Sequence, residues 1–170
     1  VFTPIVATAV IIAEEKEKNT LRVLIMSNVT FNEYLISIAG FILIADLVTG
    51  IAFLFLSGND AANVMQFLLS LAAGSVISII LGVCIGLYAR NTAAANGLGV
   101  PFGMVFAFMP MLSFFNKSIE SVSHYTYGQQ ISYLLSGKSP SLPGIVILIA
   151  NAAIFIALSA KLYQRSLSGE

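Results

Sequence analysis

The sequence predicts an all-α fold, a polytopic bundle of membrane-spanning helices, and three observations carry that prediction. First, 58% of the 170 residues are hydrophobic and only 9% are charged, where soluble chains carry roughly 25% charge. Second, the apolar residues fall in runs at 35–56, 64–89, 93–115 and 143–160, each reaching the roughly 20 residues that a helix needs to cross a bilayer core. Third, the positive charges collect in alternate connections between those runs: Lys16, Lys18 and Arg22, then Arg90, then Lys161 and Arg165. Loops rich in Lys and Arg stay on the cytoplasmic side. Segment 14–29, the turn at Arg90 and the carboxyl tail are therefore expected in the cytoplasm. The SGND turn at 57–60 and the segment 116–142, where Lys117 and Lys138 are offset by Asp60 and Glu120, are expected outside.

Taken in order, the first run, 1–13, is apolar throughout but covers only about 20 Å as a helix, against a hydrocarbon core of about 30 Å. It reads as the end of a longer span rather than a signal peptide, since no Lys or Arg precedes it and no small-residue cleavage site follows. Five membrane segments are thus visible, the first one partial, and six are expected of the complete fold. Segment 14–29 is the only part dense in charge. Glu14 and Lys18 make an i, i+4 pair, while Leu21, Leu24 and Ile25 share one face, so a short amphipathic helix is expected beyond the membrane. Its bland reading is a solvated loop whose charges only set topology.

A T-x-x-E capping box, Thr30 and Glu33, opens the span 33–56. The next spans are 62–89 and 93–115, the latter capped by Asn91 or Thr92 and expected to bend at Pro101 and Pro110. Residues 118–136 are too polar to span. Their apolar positions recur at helical spacing on either side of Gly128, which predicts two outer re-entrant or interfacial helices, with Tyr125, Tyr127 and Tyr133 suited to an aromatic belt at the headgroups. Pro143 is tolerated in the first turn of the last span, 143–161, and 162–170 form the tail.

Several residues carry chemistry worth weighing. Asp46 lies midway along a span, where an ionisable group costs at least ~2.5 kcal/mol and so faces protein or water. It is either part of a substrate or proton path or a buried carboxyl hydrogen-bonded to Thr49 or to another span. Gly74, Ser78, Gly82 and Gly86 descend one face of the third span, and Gly99, Gly103 and Ala107 one face of the fourth. Such small-residue faces allow close helix packing, within one subunit or at a dimer seam. Gly137-Lys138-Ser139 resembles the end of a P-loop, but the glycine required five residues earlier is Ser132, and Pro140 follows. No nucleotide site, catalytic triad or metal site emerges: His124 is the sole histidine and Cys84 the sole cysteine. The zero formal net charge gives no sign of a nucleic-acid partner.

The run EEKEKNTLRVLIMSNVTFNEYL (14–35) resembles the cytoplasmic connection of permease subunits in ABC-2-type ATP-binding cassette exporters, E-E-K-E-x-x-T-L-x-x-L-x-x-S-x-x-[ST]-x-x-E. Glu14, Glu15, Lys16, Glu17, Thr20, Leu21, Leu24, Ser27, Thr30 and Glu33 match. The chain departs from the pattern at Asn28, where proline is usual, and at Ser37, where lysine is common. The order of spans agrees over nearly the whole chain. The resemblance implies a coupling helix in which Glu14, Glu15, Lys18, Thr20, Leu21, Leu24 and Ile25 meet a nucleotide-binding ATPase subunit. ATP and Mg would sit on that partner, this chain would carry no cofactor and no enzymatic step of its own, and a second permease copy or paralogue would complete the transmembrane unit. It also implies a bacterial or archaeal plasma membrane. Two other readings stay open: an ion-coupled secondary transporter with Asp46 as coupling group, and a non-transporting membrane protein of peptide-binding or immunity type using segment 116–142.

Overall fold

The computed structural model describes residues 1–18, 30–57 and 64–168. Seven helices form among these residues: α1 (Phe2–Glu17), α2 (Phe31–Ser57), α3 (Val64–Tyr88), α4 (Thr92–Ser113), α5 (Lys117–Ser123), α6 (Tyr127–Leu135) and α7 (Leu142–Ser168). The four expected complete spans are present as helices long and apolar enough to cross a membrane, at Glu33–Leu56, Val64–Tyr88, Thr92–Ser113 and Leu142–Gln164. α1, with 16 residues, is shorter.

Helix ends follow from local chemistry. At the start of α2 the Thr30 N–H donates to Glu33 Oε2 at 2.8 Å, and the Glu33 N–H donates back to Thr30 Oγ1 at 3.4 Å, so the capping box forms as the spacing predicts. Of the two candidate caps for α4, Asn91 is the one used: its Oδ1 accepts from the Ala94 N–H at 2.8 Å. The Gly-Lys-Ser stretch closes α6. Gly137 adopts φ +80, its N–H reaches Leu134 O at 3.1 Å, and the Lys138 N–H reaches Tyr133 O at 3.2 Å. That is a Schellman cap, the ordinary reason for a left-handed glycine past a helix end.

α3 is the hub, in contact with α1, α2, α4, α6 and α7. α1 is laid into the groove between α3 and α4 so deeply that Ile5, Thr8, Ala9, Ile12 and Ala13 have no exposed surface. Glycine makes this possible. A Cβ added at Gly82 would stand 2.7 Å from Ile5 O, one at Gly86 2.9 Å from Ala9 O, and one at Gly103 2.8 Å from the Phe2 ring. Lipid chains offer no hydrophobic drive for helices to associate, so close van der Waals contact of this kind is what holds a membrane bundle. By contrast α2, α4 and α7 turn Phe41, Ile44, Phe55, Phe108, Met111, Val146 and Ile149 outward.

Segment 116–142 forms two short helices, α5 and α6, with the break at 124–126 rather than at Gly128, which lies inside α6. Gly128 serves a crossing instead of a break. A Cβ there would stand 2.3 Å from Phe106 O, so the glycine lets α6 pass over the α4 backbone. That crossing also corrects the expected aromatic belt. Tyr125 is 71% exposed, whereas Tyr127 is 0% exposed, because α6 turns it into the bundle against Phe106 and Phe155.

Candidate coupling and transport elements

At one end of the bundle the charged end of α1 meets the connection between α3 and α4. Lys16 Nζ donates to Leu87 O and Ala89 O, both at 2.7 Å, and lies 3.5 Å from Gly86 O. Those carbonyls end α3 and have no partner within the helix, and a cation at a helix C-terminus also complements its dipole. Partial burial pushes the Lys16 ammonium below the ordinary lysine range. The neighbouring Glu17 reaches across to the start of α4, where its Oε2 accepts from the Thr92 N–H and from Thr92 Oγ1, each at 3.0 Å. Hydrogen bonds from the Thr92 backbone and side chain hold its carboxyl below the usual carboxylate range. Two adjacent residues of the EEKE motif therefore clasp both sides of residues 89–92. Glu14 is differently employed, paired with Lys18 at 2.5 Å on the exposed side of α1.

The remaining candidate coupling residues Thr20, Leu21, Leu24 and Ile25 lie outside the described residues. Glu15 is half-buried near the end of α1. Sequence reasoning does not single out Lys16 and Glu17 as structural ties. Their membership in the motif is the available signal, but their partners lie more than 70 positions away.

Asp46 is placed opposite Ser75, whose hydroxyl donates to Asp46 Oδ2. The sequence offers Thr49 or another span as the partner, and the structure selects the other span; Thr49 Oγ1 donates within α2, to Ala45 O at 2.8 Å. One helical turn along α3, Ser78 Oγ lies 3.1 Å from Tyr127 Oη, with both residues fully buried. Thus α3 carries two adjacent hydroxyls, one tied to α2 and one to the inserted α6. The small-residue stripe Gly74, Ser78, Gly82, Gly86 is likewise divided. Its upper half receives α6, with Ile131 against Gly74, and its lower half receives α1. Gly99 and Gly103 also face α1. These positions are buried within the chain and are used for packing inside it.

At the opposite end from the EEKE motif, polar side chains fasten α5, α6 and the turns around them. Gln66 Nε2 donates to Leu134 O at 3.1 Å and to Lys138 O at 2.8 Å. Asn151 Nδ2 donates to Tyr125 O at 3.0 Å, and Gln130 Nε2 donates to His124 O at 2.6 Å. Inside apolar spans Gln66 and Asn151 are rare residue types, and that rarity is the signal by which a sequence reading could find them. No group of three or more potential metal ligands occurs among the described residues.

A helical bundle with four apolar spans, a buried helix in its central groove and a polar-fastened pair of short helices defines a polytopic integral membrane protein. The chain belongs to the family described as fluoroquinolones export permease protein Rv2686c-like, whose family model matches residues 1–126, that is, α1 through α5 and the turn that follows. No curated protein and no solved structure matches the chain. It is accordingly an export permease of the membrane.

Proposed function

We propose that this chain is the transmembrane permease subunit of an ATP-driven exporter, working with a separate nucleotide-binding ATPase and a second permease copy or paralogue. The observation that carries the reading is the double tie of Lys16 and Glu17 to residues 87–92. Segment 14–29 begins within the last turn of α1, so a push on it is delivered to three helices at once: α1 itself, the end of α3 and the start of α4. A helix in contact with an ATPase needs such stiffness to transmit force. The end bearing the EEKE motif is cytoplasmic in this reading, supported by the alternation of Lys and Arg between connections; a cysteine at Lys138 should then react with an impermeant reagent added outside and one at Arg90 should not. The transported compound is a drug of the class for which the family is named.

The test is co-purification with the ATPase together with flux. Leu24→Asp, which puts a charge on the apolar face, should abolish both, since buried apolar anchors of an interface typically contribute about 2 kcal/mol or more. Glu14→Gln combined with Glu15→Gln should slow transport and leave more of the complex intact. Parental binding and flux in Leu24→Asp, at normal membrane abundance, would mean that 14–29 is only a topological loop. The ion-coupled alternative rests on Asp46, and the hydrogen bond from Ser75 supports a packing role for that carboxyl. The peptide-binding alternative would need segment 116–142 free, whereas α6 is inserted into the bundle.

A further inference from the structure

Between α6 and the first turns of α7 lies a cavity of about 160 Å³, lined among others by Gln130, Tyr133, Leu134, Lys138, Ile145 and Leu148. Its two ends differ in chemistry. The rim is polar: the Lys138 ammonium rests 4.4 Å above the centre of the Tyr133 ring, held at the mouth by the Schellman cap that fixes its backbone. Among the described residues no carboxylate pairs with Lys138. Gln130 spends its amide nitrogen on His124 O, and its Oε1 is left against Gly144. The apolar side of the lining is made of Leu134, Ile145 and Leu148. On the same helix, α7, Leu142, Val146 and Ile149 are 81%, 63% and 64% exposed.

The depth of this cavity decides what it meets. Lys138–Ser141 immediately precede the span that begins at Leu142, and Gln66, near the start of the span at Val64, bonds the Lys138 backbone. The rim therefore sits where phospholipid headgroups sit, and the apolar wall sits where the acyl chains begin. An ammonium at headgroup level attracts anionic lipid, and a cavity that joins a cation to apolar side chains suits one amphiphile. We infer that this cavity is a binding site for the phosphate-bearing headgroup of an anionic phospholipid, with Lys138 as the charge that selects it and Ile145 and Leu148 guiding the first part of an acyl chain. The inference is independent of the transport direction and of any ATPase.

Native mass spectrometry of the full chain in neutral detergent tests it, titrating phosphatidylglycerol and phosphatidylcholine separately and then adding inorganic phosphate in large excess. The first phosphatidylglycerol should bind about fivefold more tightly than the first phosphatidylcholine, the factor expected of one lysine near an anionic headgroup. Lys138→Gln should remove that preference, Lys138→Arg should keep it, and Ile145→Trp, which fills the mouth from a partly exposed position, should weaken both lipids. Inorganic phosphate should displace neither. A preference that survives in Lys138→Gln, lipid binding unchanged in Ile145→Trp, or displacement by free phosphate would each overturn the assignment.

Discussion

Lys16 on α1 donates to the carbonyl of Ala89, 73 positions further along the chain, at 2.7 Å. It thereby supplies the donor that the end of α3 lacks. Replacing Lys16 by Met keeps the aliphatic stem and leaves the carbonyls of Leu87 and Ala89 without that partner. Hydrogen bonds to charged groups contribute about 1.5–3 kcal/mol, and the lower end applies here because water reaches this face. For a chain of this size about 1 kcal/mol shifts the melting temperature by roughly 2–4 °C. Lys16→Met should lower the melting temperature in detergent by that order, and Glu14→Gln, which breaks an exposed i, i+4 pair, should do much less. Equal shifts in the two variants would show that the lysine is not a tie.

Glu17 gives the same clasp a pH dependence whose sign is fixed. Its carboxyl is held below the usual range by the Thr92 hydrogen bonds. Its contribution to stability is therefore present above the ordinary glutamate pKa of about 4.3 and is lost as pH falls through the lower folded value. In a series of thermal melts, wild type and Glu17→Gln should differ at neutral pH and converge in acid. A gap that stays constant down to pH about 3 would remove the carboxylate from the account.

How much of this can be read in the sequence depends on the range of the cause. The four spans, the Thr30–Glu33 box and the Glu14–Lys18 pair follow from length, hydropathy and spacings of three or four residues, and each is present. The missing glycine excludes Gly137-Lys138-Ser139 as a nucleotide site, and its true employment as a helix cap is equally local. Tyr127 escapes such reasoning because a tyrosine in a polar stretch between spans has the composition of an interfacial residue. Its burial depends on Gly74 and Gly128 admitting α6 between helices remote in sequence. The small-residue stripe on α3 announces close contact but does not name the neighbour, since a missing side chain specifies a distance and leaves open which helix fills it.

That distance can be tested at single-methyl resolution. A Cβ at Gly82 would lie 2.7 Å from both the Ile5 carbonyl oxygen and Thr8 Cβ, and a backbone atom cannot swing aside as a side-chain tip does. Gly82→Ala must push α1 out of its groove, an overpacking that costs about 1–3 kcal/mol. At Gly97, also helical, an added Cβ meets nothing within 4 Å. There alanine should be neutral or gain about 0.5–1 kcal/mol from helix propensity. The expected order of detergent stability is Gly97→Ala at or above wild type, with Gly82→Ala clearly below. Reversal of that order would mean that α1 does not occupy this groove.

Asp46 supplies the sharpest separation between transport mechanisms. It lies near the middle of the span Glu33–Leu56, and its partner Ser75 lies near the middle of Val64–Tyr88. A charge held at that depth costs at least about 2.5 kcal/mol, and a hydroxyl donor from a neighbouring helix offsets part of it. In an ATP-driven permease the carboxyl then joins α2 to α3, a role that asparagine fills as well through its side-chain oxygen and without the charge. Asp46→Asn should insert normally, keep its stability within about 1 kcal/mol of wild type by the usual size of one hydrogen bond, and leave transport largely intact with the same pH profile. Asp46→Leu should be less stable, because the Ser75 hydroxyl loses its partner across the helices. In an ion-coupled carrier the outcomes differ, since the proton or ion binds the carboxylate itself. Loss of flux in Asp46→Asn at full membrane abundance and unchanged stability would therefore defeat the packing role and favour gradient-driven transport.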